Sequence, residues 1–199
     1  MASWLRSEDV SSALASLGWG AVPGVSQPPG GWKCIGFVEF EFIRSLAGGD
    51  LLADLVRLLE ADRLWCLGHP SCLAVSEGGN FTNSLKFDAD FTGNQYLQGL
   101  NAAFSGSSTG FIDYCDEVVW YFGLPNFAII GNLDTEISAI IYKNSMPIRN
   151  VGYKNKRIFS LEEIVDIKIH NFSHSEMAVN FYSQIYAMYK DKFEVGILV

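Results

Sequence analysis

Long hydrophobic runs are missing from this chain. None approaches the ~18–20 apolar residues that a bilayer-spanning helix needs; the longest, such as Val118 to Phe122, are strand-sized. Met1 to Trp19 holds Glu8 and Asp9 and has no continuous apolar core of the ~7–15 residues found in export signals. The expected location is therefore cytoplasmic. Asn80-Phe81-Thr82 and Asn171-Phe172-Ser173 match the glycosylation sequon, and without export they are chance matches. Basic charge is also scarce: 14 Lys and Arg stand against 22 Asp and Glu, for a net charge of −8. Phosphate binding needs clustered cations, so the balance argues against general nucleic-acid binding and against an anionic membrane surface. The cysteines are only Cys34, Cys66, Cys72 and Cys115, scattered through a well-cored chain. Disulfide frameworks belong to small secreted domains, so free, mostly buried thiols are expected.

Catalytic signatures are absent too. There is no Gly-x-Ser-x-Gly elbow, and Gly48-Gly49-Asp50 lacks the Lys-Ser/Thr ending of a phosphate loop. His170 and His174 have the four-residue spacing of a helical metal pair, but Ser173 reads as a helix cap that leaves His170 outside. Cys66, His69 and Cys72 supply three ligands within seven residues, where a closed zinc site needs four. Glu39 and Glu41 are two acids on the outer face of an expected strand, an arrangement that is usually just solvated. Neither a metal nor a cofactor is expected. The enzyme alternative is a small cytoplasmic enzyme with a dispersed site that includes Cys66, His69 or Cys72, because Cys and His partners meet in space rather than in sequence.

What is present is core-forming material: 49% hydrophobic and 14% aromatic residues in a chain of 199. One domain over 1–199 is expected, with an irregular Pro/Gly loop at 21–31. Ser7 reads as the cap of a first helix whose stripe is Val10, Ala13, Leu14 and Leu17. Phe37 to Phe42 alternates as a half-buried strand. Gly48-Gly49 reads as a break and Asp50 as the cap of a helix carrying Leu51, Leu52, Leu55, Leu58 and Leu59. Leu64 to Val75 and Leu85 to Phe91 suggest short strands, and Asn94 to Phe104 a short helix. Phe111 to Tyr142 is the strongest strand region. Its runs are joined by turns at 124–126 and 131–134, too short for parallel crossovers, so an antiparallel meander is expected. Ser160 with Glu163, and Ser173 with Glu176, have capping-box spacing; the second opens a helix with Ala178, Phe181, Tyr182, Ile185 and Met188 on one face. The fold class is α+β: an antiparallel sheet packed by amphipathic helices.

Charge is unevenly distributed along this framework. Between Phe104 and Tyr142 lie five acids, Asp113, Asp116, Glu117, Asp134 and Glu136, and no base. Lys143, Arg149, Lys154, Lys156 and Arg157 follow before Ser160, with no acid among them. A charge run is usually only a solvated face. The functional alternative sets these acids around aromatic anchors, Tyr114 and Trp120, with Trp120 and Tyr121 pointing to opposite faces of their strand. Acids around an aromatic suit a basic protein partner, since charge steers encounter and the ring supplies buried area. The segment Asp116-Glu117-Val118-Val119-Trp120-Tyr121-Phe122, followed by 127–142, resembles the acid-flanked strand pairs of immunity proteins that neutralise bacterial contact-dependent or polymorphic toxins. The resemblance covers the C-terminal half and implies tight, non-catalytic binding to a cognate toxin. That family shares no universal binding residues, so it assigns none here. An intracellular regulatory interaction module is the remaining alternative, and oligomeric state is not legible.

Overall fold

In the computed structural model, residues 2–23, 25, 29–68, 81–102, 115–144 and 157–194 are described. Seven segments run extended: β1 (Ser3–Arg6), β2 (Lys33–Glu39), β3 (Arg63–Gly68), β4 (Phe81–Asp88), β5 (Glu117–Tyr121), β6 (Phe127–Asn132) and β7 (Ile137–Tyr142). They form one sheet in the order β1-β4-β3-β5-β6-β7-β2, and every pairing is antiparallel. The expected meander is its centre. β5 and β6 turn through 122–126, and β6 and β7 through 133–136. Six helices accompany the sheet among the described residues: α1 (Ser7–Leu17), α2 (Phe40–Ile43), α3 (Leu46–Leu58), α4 (Gly93–Leu100), α5 (Leu161–Asn171) and α6 (Glu176–Tyr189).

The helices cover both faces of the sheet. Val118, Trp120, Phe127, Ile129, Ile140 and Tyr142 belong to a core shared with α2, α3 and α4. Their neighbours Val119, Tyr121, Ala128, Ile130, Ala139 and Ile141 belong to a second core shared with α1, α5 and α6. The period-two alternation of side chains therefore sorts residues between two buried layers instead of between core and water. That is why β6 and β7 read as unbroken runs: every residue in both is buried.

Several local expectations change. β2 is buried on both faces rather than half-buried, and it ends at Glu39. Phe40–Ile43 then closes a single helical turn, so Glu41 never shares a strand face with Glu39. Gly48-Gly49 does not break the chain, and Asp50 is not a cap. The helix begins at Leu46, with the Ser45 hydroxyl accepting the Gly48 N–H at 3.2 Å. Both glycines are present for close packing. A Cβ on Gly48 would lie 2.3 Å from the Phe42 carbonyl oxygen, and one on Gly49 2.7 Å from the Tyr96 ring. Asp50 instead reaches α4, where its carboxylate accepts the Gly93 N–H at 3.1 Å. Leu58 falls outside the buried stripe and is exposed. At α1 the helix starts at Ser7 itself, and Asp9 accepts the Arg6 N–H. The Ser160–Glu163 capping box holds as expected. The cap of α6 is Ser175 rather than Ser173.

Candidate partner-binding groove

The β6–β7 hairpin tip is built by its own side chains. Asn132 Oδ1 accepts the Thr135 N–H at 2.8 Å, and the Thr135 hydroxyl donates to the Asn132 carbonyl at 3.1 Å. Glu136 completes the turn in a left-handed conformation, φ 53°, and its N–H donates to the Leu133 carbonyl. Two contacts fasten this tip to the C-terminal helices. Lys168 of α5 is buried and donates to Glu136 at 2.9 Å, with Glu39 of β2 at 3.6 Å. Tyr182 of α6 donates to the Thr135 carbonyl at 3.2 Å. Burial, and then the Glu136 charge, push the Tyr182 hydroxyl up to about 12.

Fastening the tip there creates a groove of about 370 Å³ between hairpin and helices. Asp134 and Glu136 form its hairpin wall, and Phe172, Ser175, Met177, Ala178, Phe181 and Tyr182 its helical wall. Phe172 stacks on Tyr182 at 6.1 Å between centroids, and Phe181 meets the same ring edge-on at 5.3 Å. Met177, 84% exposed, stands at the rim.

Four of the sequence-predicted residues gather at this end of the sheet. Asp116 is exposed at the entrance to β5, where its carbonyl accepts the Leu133 N–H at 2.7 Å. Glu117 is half-buried and accepts from the Asn132 amide at 3.4 Å. Asp134 is exposed, and Glu136 is half-buried behind it. Asp113 and Tyr114 lie outside the described residues.

Trp120 does not join them. It is 1% exposed, and its indole N–H donates to the Tyr96 hydroxyl at 2.8 Å, which in turn donates to the Ile43 carbonyl. Tyr121 is also buried, accepting from the Ser16 hydroxyl and packed edge-on against Trp65. The two rings do point to opposite faces, but both faces are covered. Trp120 is thus a core residue and cannot anchor a partner. The apolar surface beside the acids comes from exposed Met177 and the partly buried Phe172 and Phe181; Phe181 is legible in the sequence as part of the helix stripe, whereas Phe172 and Met177 were not singled out. The available signal was Met177, a large apolar residue just ahead of its helix's buried stripe.

The other constellations resolve differently. Cys66 sits inside β3, where burial pushes its thiol well up, and Cys34 is raised by the same cause. Neither is a poised nucleophile, because the thiolate is the reactive form. Cys115 is buried as well. His69 and Cys72 lie outside the described residues. His170 lies within α5, not ahead of a helix, whereas His174 lies between α5 and α6, so the two share no helical face. Among the described residues no group of three or more His, Cys, Asp or Glu is placed to hold a metal ion. Glu39 faces Lys168 and Glu41 faces Arg44, so that pair of acids is not a site.

Fold and groove together define a class: an α+β domain whose antiparallel sheet is sealed on both faces and whose acidic hairpin tip faces an apolar helical wall. No family model matches the chain, and no curated protein or solved structure matches it. No helix among the described residues is long and apolar enough to cross a membrane.

Proposed function

We propose that this chain is a non-catalytic binding protein of the cytoplasm, an immunity protein that neutralises a cognate bacterial toxin by direct contact. One observation carries the reading: Asp116, Asp134 and Glu136 converge beside a groove lined by Phe172, Met177 and Phe181. Exposed Met177 with the partly buried Phe172 and Phe181, bordered by charge of one sign, suits an interface whose centre supplies affinity and whose rim steers association. Among the described residues the cysteines are Cys34, Cys66 and Cys115, all buried; Cys72 and His69 of the enzyme alternative lie outside those residues.

The test is co-expression with a toxin-bearing protein encoded beside this chain, scoring growth and then affinity by calorimetry. The double variant Asp116→Lys/Asp134→Lys is the informative one; Glu117 is left alone because it is bonded to Asn132. Reversal of exposed charges should leave the fold within about 0.5 kcal/mol of the parent. It should weaken protection and slow association, and added salt should slow association of the parent. A folded double variant that binds and protects like the parent would reduce the acidic end to a solvated face. Turnover of a small molecule with no protein partner would remove the binding-protein reading.

A further inference from the structure

We infer that the groove receives a leucine or methionine side chain of the partner with an arginine or lysine next to it in the partner's sequence; this rests on the binding-protein reading above. The argument for the apolar half begins with the helical wall. Phe172 and Phe181 line it while packing on buried Tyr182, and Met177 beside them is 84% exposed. A volume of about 370 Å³ is near the low end of ligand clefts, which span ~300–1,000 Å³, and suits one or two side chains. Methionine at the rim adapts its unbranched chain to the shape of what enters.

The argument for the cation comes from the opposite wall. Lys168 engages Oε2 of Glu136 from behind, inside the protein. Oε1 of Glu136 and the carboxylate of Asp134 have no partner among the described residues, and both residues line the groove. Glu176 adds a further acid in the opening turn of α6, next in sequence to the lining residues Ser175 and Met177. Among the described residues, Lys168 is the Lys or Arg bonded at this end, and it is buried and faces Glu136 from inside. An acidic or neutral occupant would leave these carboxylates desolvated without compensation. An arginine would pair with Asp134 through its planar fork while its neighbour's aliphatic side chain fills the groove.

The probe is a displayed library of random linear peptides selected on the full chain. Enriched peptides are then synthesised and their Kd measured against parent and variants. Selected peptides should carry Arg or Lys within about two positions of Leu or Met. Their affinity should fall about tenfold or more on Met177→Glu and on Asp134→Lys, as expected when an anchor or its charge partner is lost. Leu58→Glu, on α3 and therefore against the opposite sheet face, should bind like the parent, and circular dichroism should show all three variants folded. Enriched peptides without basic residues, affinities unmoved by both groove variants, or no enrichment at all would each overturn the inference. The two levels separate cleanly. A toxin that still binds while selected peptides lack cations removes this occupant and keeps the immunity reading. Cation–leucine peptides that bind the groove while the co-expressed toxin does not would keep the occupant and remove the immunity reading.

Discussion

Tyr182 places its ring in the groove wall and its hydroxyl on the Thr135 carbonyl, so one side chain joins surface to core. It is one of several tyrosines held neutral by their surroundings. Burial raises Tyr96 and Tyr189 well above the ordinary value; Tyr142, through burial and its bond to Glu194, is pushed up to about 12, like Tyr182. The sign follows directly. An unfolded tyrosine titrates near 10, so these phenols favour the folded state fully below that pH, and the contribution is lost as pH rises through about 12. Urea unfolding should therefore give a stability that is level with respect to these groups up to about pH 10 and declines between about 10 and 12. Tyrosinate absorbance of the native protein should lag behind that of free tyrosine. A Tyr182→Phe variant should show a shallower decline; an unchanged slope would mean that Tyr182 ionises freely in the folded chain. Gly48 gives a second test at this scale. Alanine would favour the helix by ~1 kcal/mol. Its Cβ, however, would lie 2.3 Å from a backbone oxygen of α2, and overpacking costs ~1–3 kcal/mol. Gly48→Ala should therefore lower the urea midpoint, and a stabilised variant would show that α2 can retreat. The glycine pair reads as a break in the sequence because its tight neighbours, Phe42 and Ile43 at Gly48 and Tyr96 and Gly93 at Gly49, are set by tertiary packing and not by local propensity.

Elements with one covered face were legible, because periodicity reports them directly. The stripe of α6 and the cap at Ser160 illustrate this on the helical side, whereas the Thr92 cap of α4 was not read from the sequence. The hairpin of β6 and β7 was legible from its turn. What it packs against was not: Lys168 sits 32 residues from Glu136, and nothing in the local pattern links them. That contact now predicts an element-scale effect. Lys168→Ala should cost about 1.5–3 kcal/mol, the range for a hydrogen bond to a charged group. Lys168→Met should cost less, because it refills the volume and Glu39 and Glu136, both partly exposed, can rehydrate. Denaturant titration of the two variants checks the order. Equal, negligible losses would show that the hairpin tip is held by Tyr182 and its own turn alone.

At the scale of the whole molecule, the antiparallel α+β class was readable from short turn-linked strands and amphipathic helices, and the charge grouping was readable from the order of residues along the chain. The second covered face was not. Whether Trp120 meets water depends on α2, α3 and α4 docking onto one face of the sheet, and whether Tyr121 does depends on α1, α5 and α6 docking onto the other, all contacts made far along the chain. An alternating Phe-Val-Glu-Phe-Glu-Phe run looks half-exposed until a helical turn and Lys168 account for its acids. The groove was hidden for the same reason, since it exists only where 134–136 meets 172–182.

The pairing of β2 with β7 carries a consequence for synthesis of the chain. Strand Lys33–Glu39 finds its ladder partner in Ile137–Tyr142, about a hundred residues later, and its bridges to Phe159 and Phe193 come later still. At ~5–20 residues per second a ribosome needs roughly 5–20 s to make that stretch. Throughout this interval Cys34, Ile35, Phe37 and Val38, all buried in the finished fold, have no ladder partner. The nascent protein therefore passes through a period in which a sticky strand waits for its mate, and holdase chaperones would act in that window. Arrested chains ending before Ile137 should be cleaved by added protease within 33–39, and chains long enough to present the whole of β7 outside the exit tunnel should resist. Protection of that segment in the shorter chains would mean that another partner shelters β2 first.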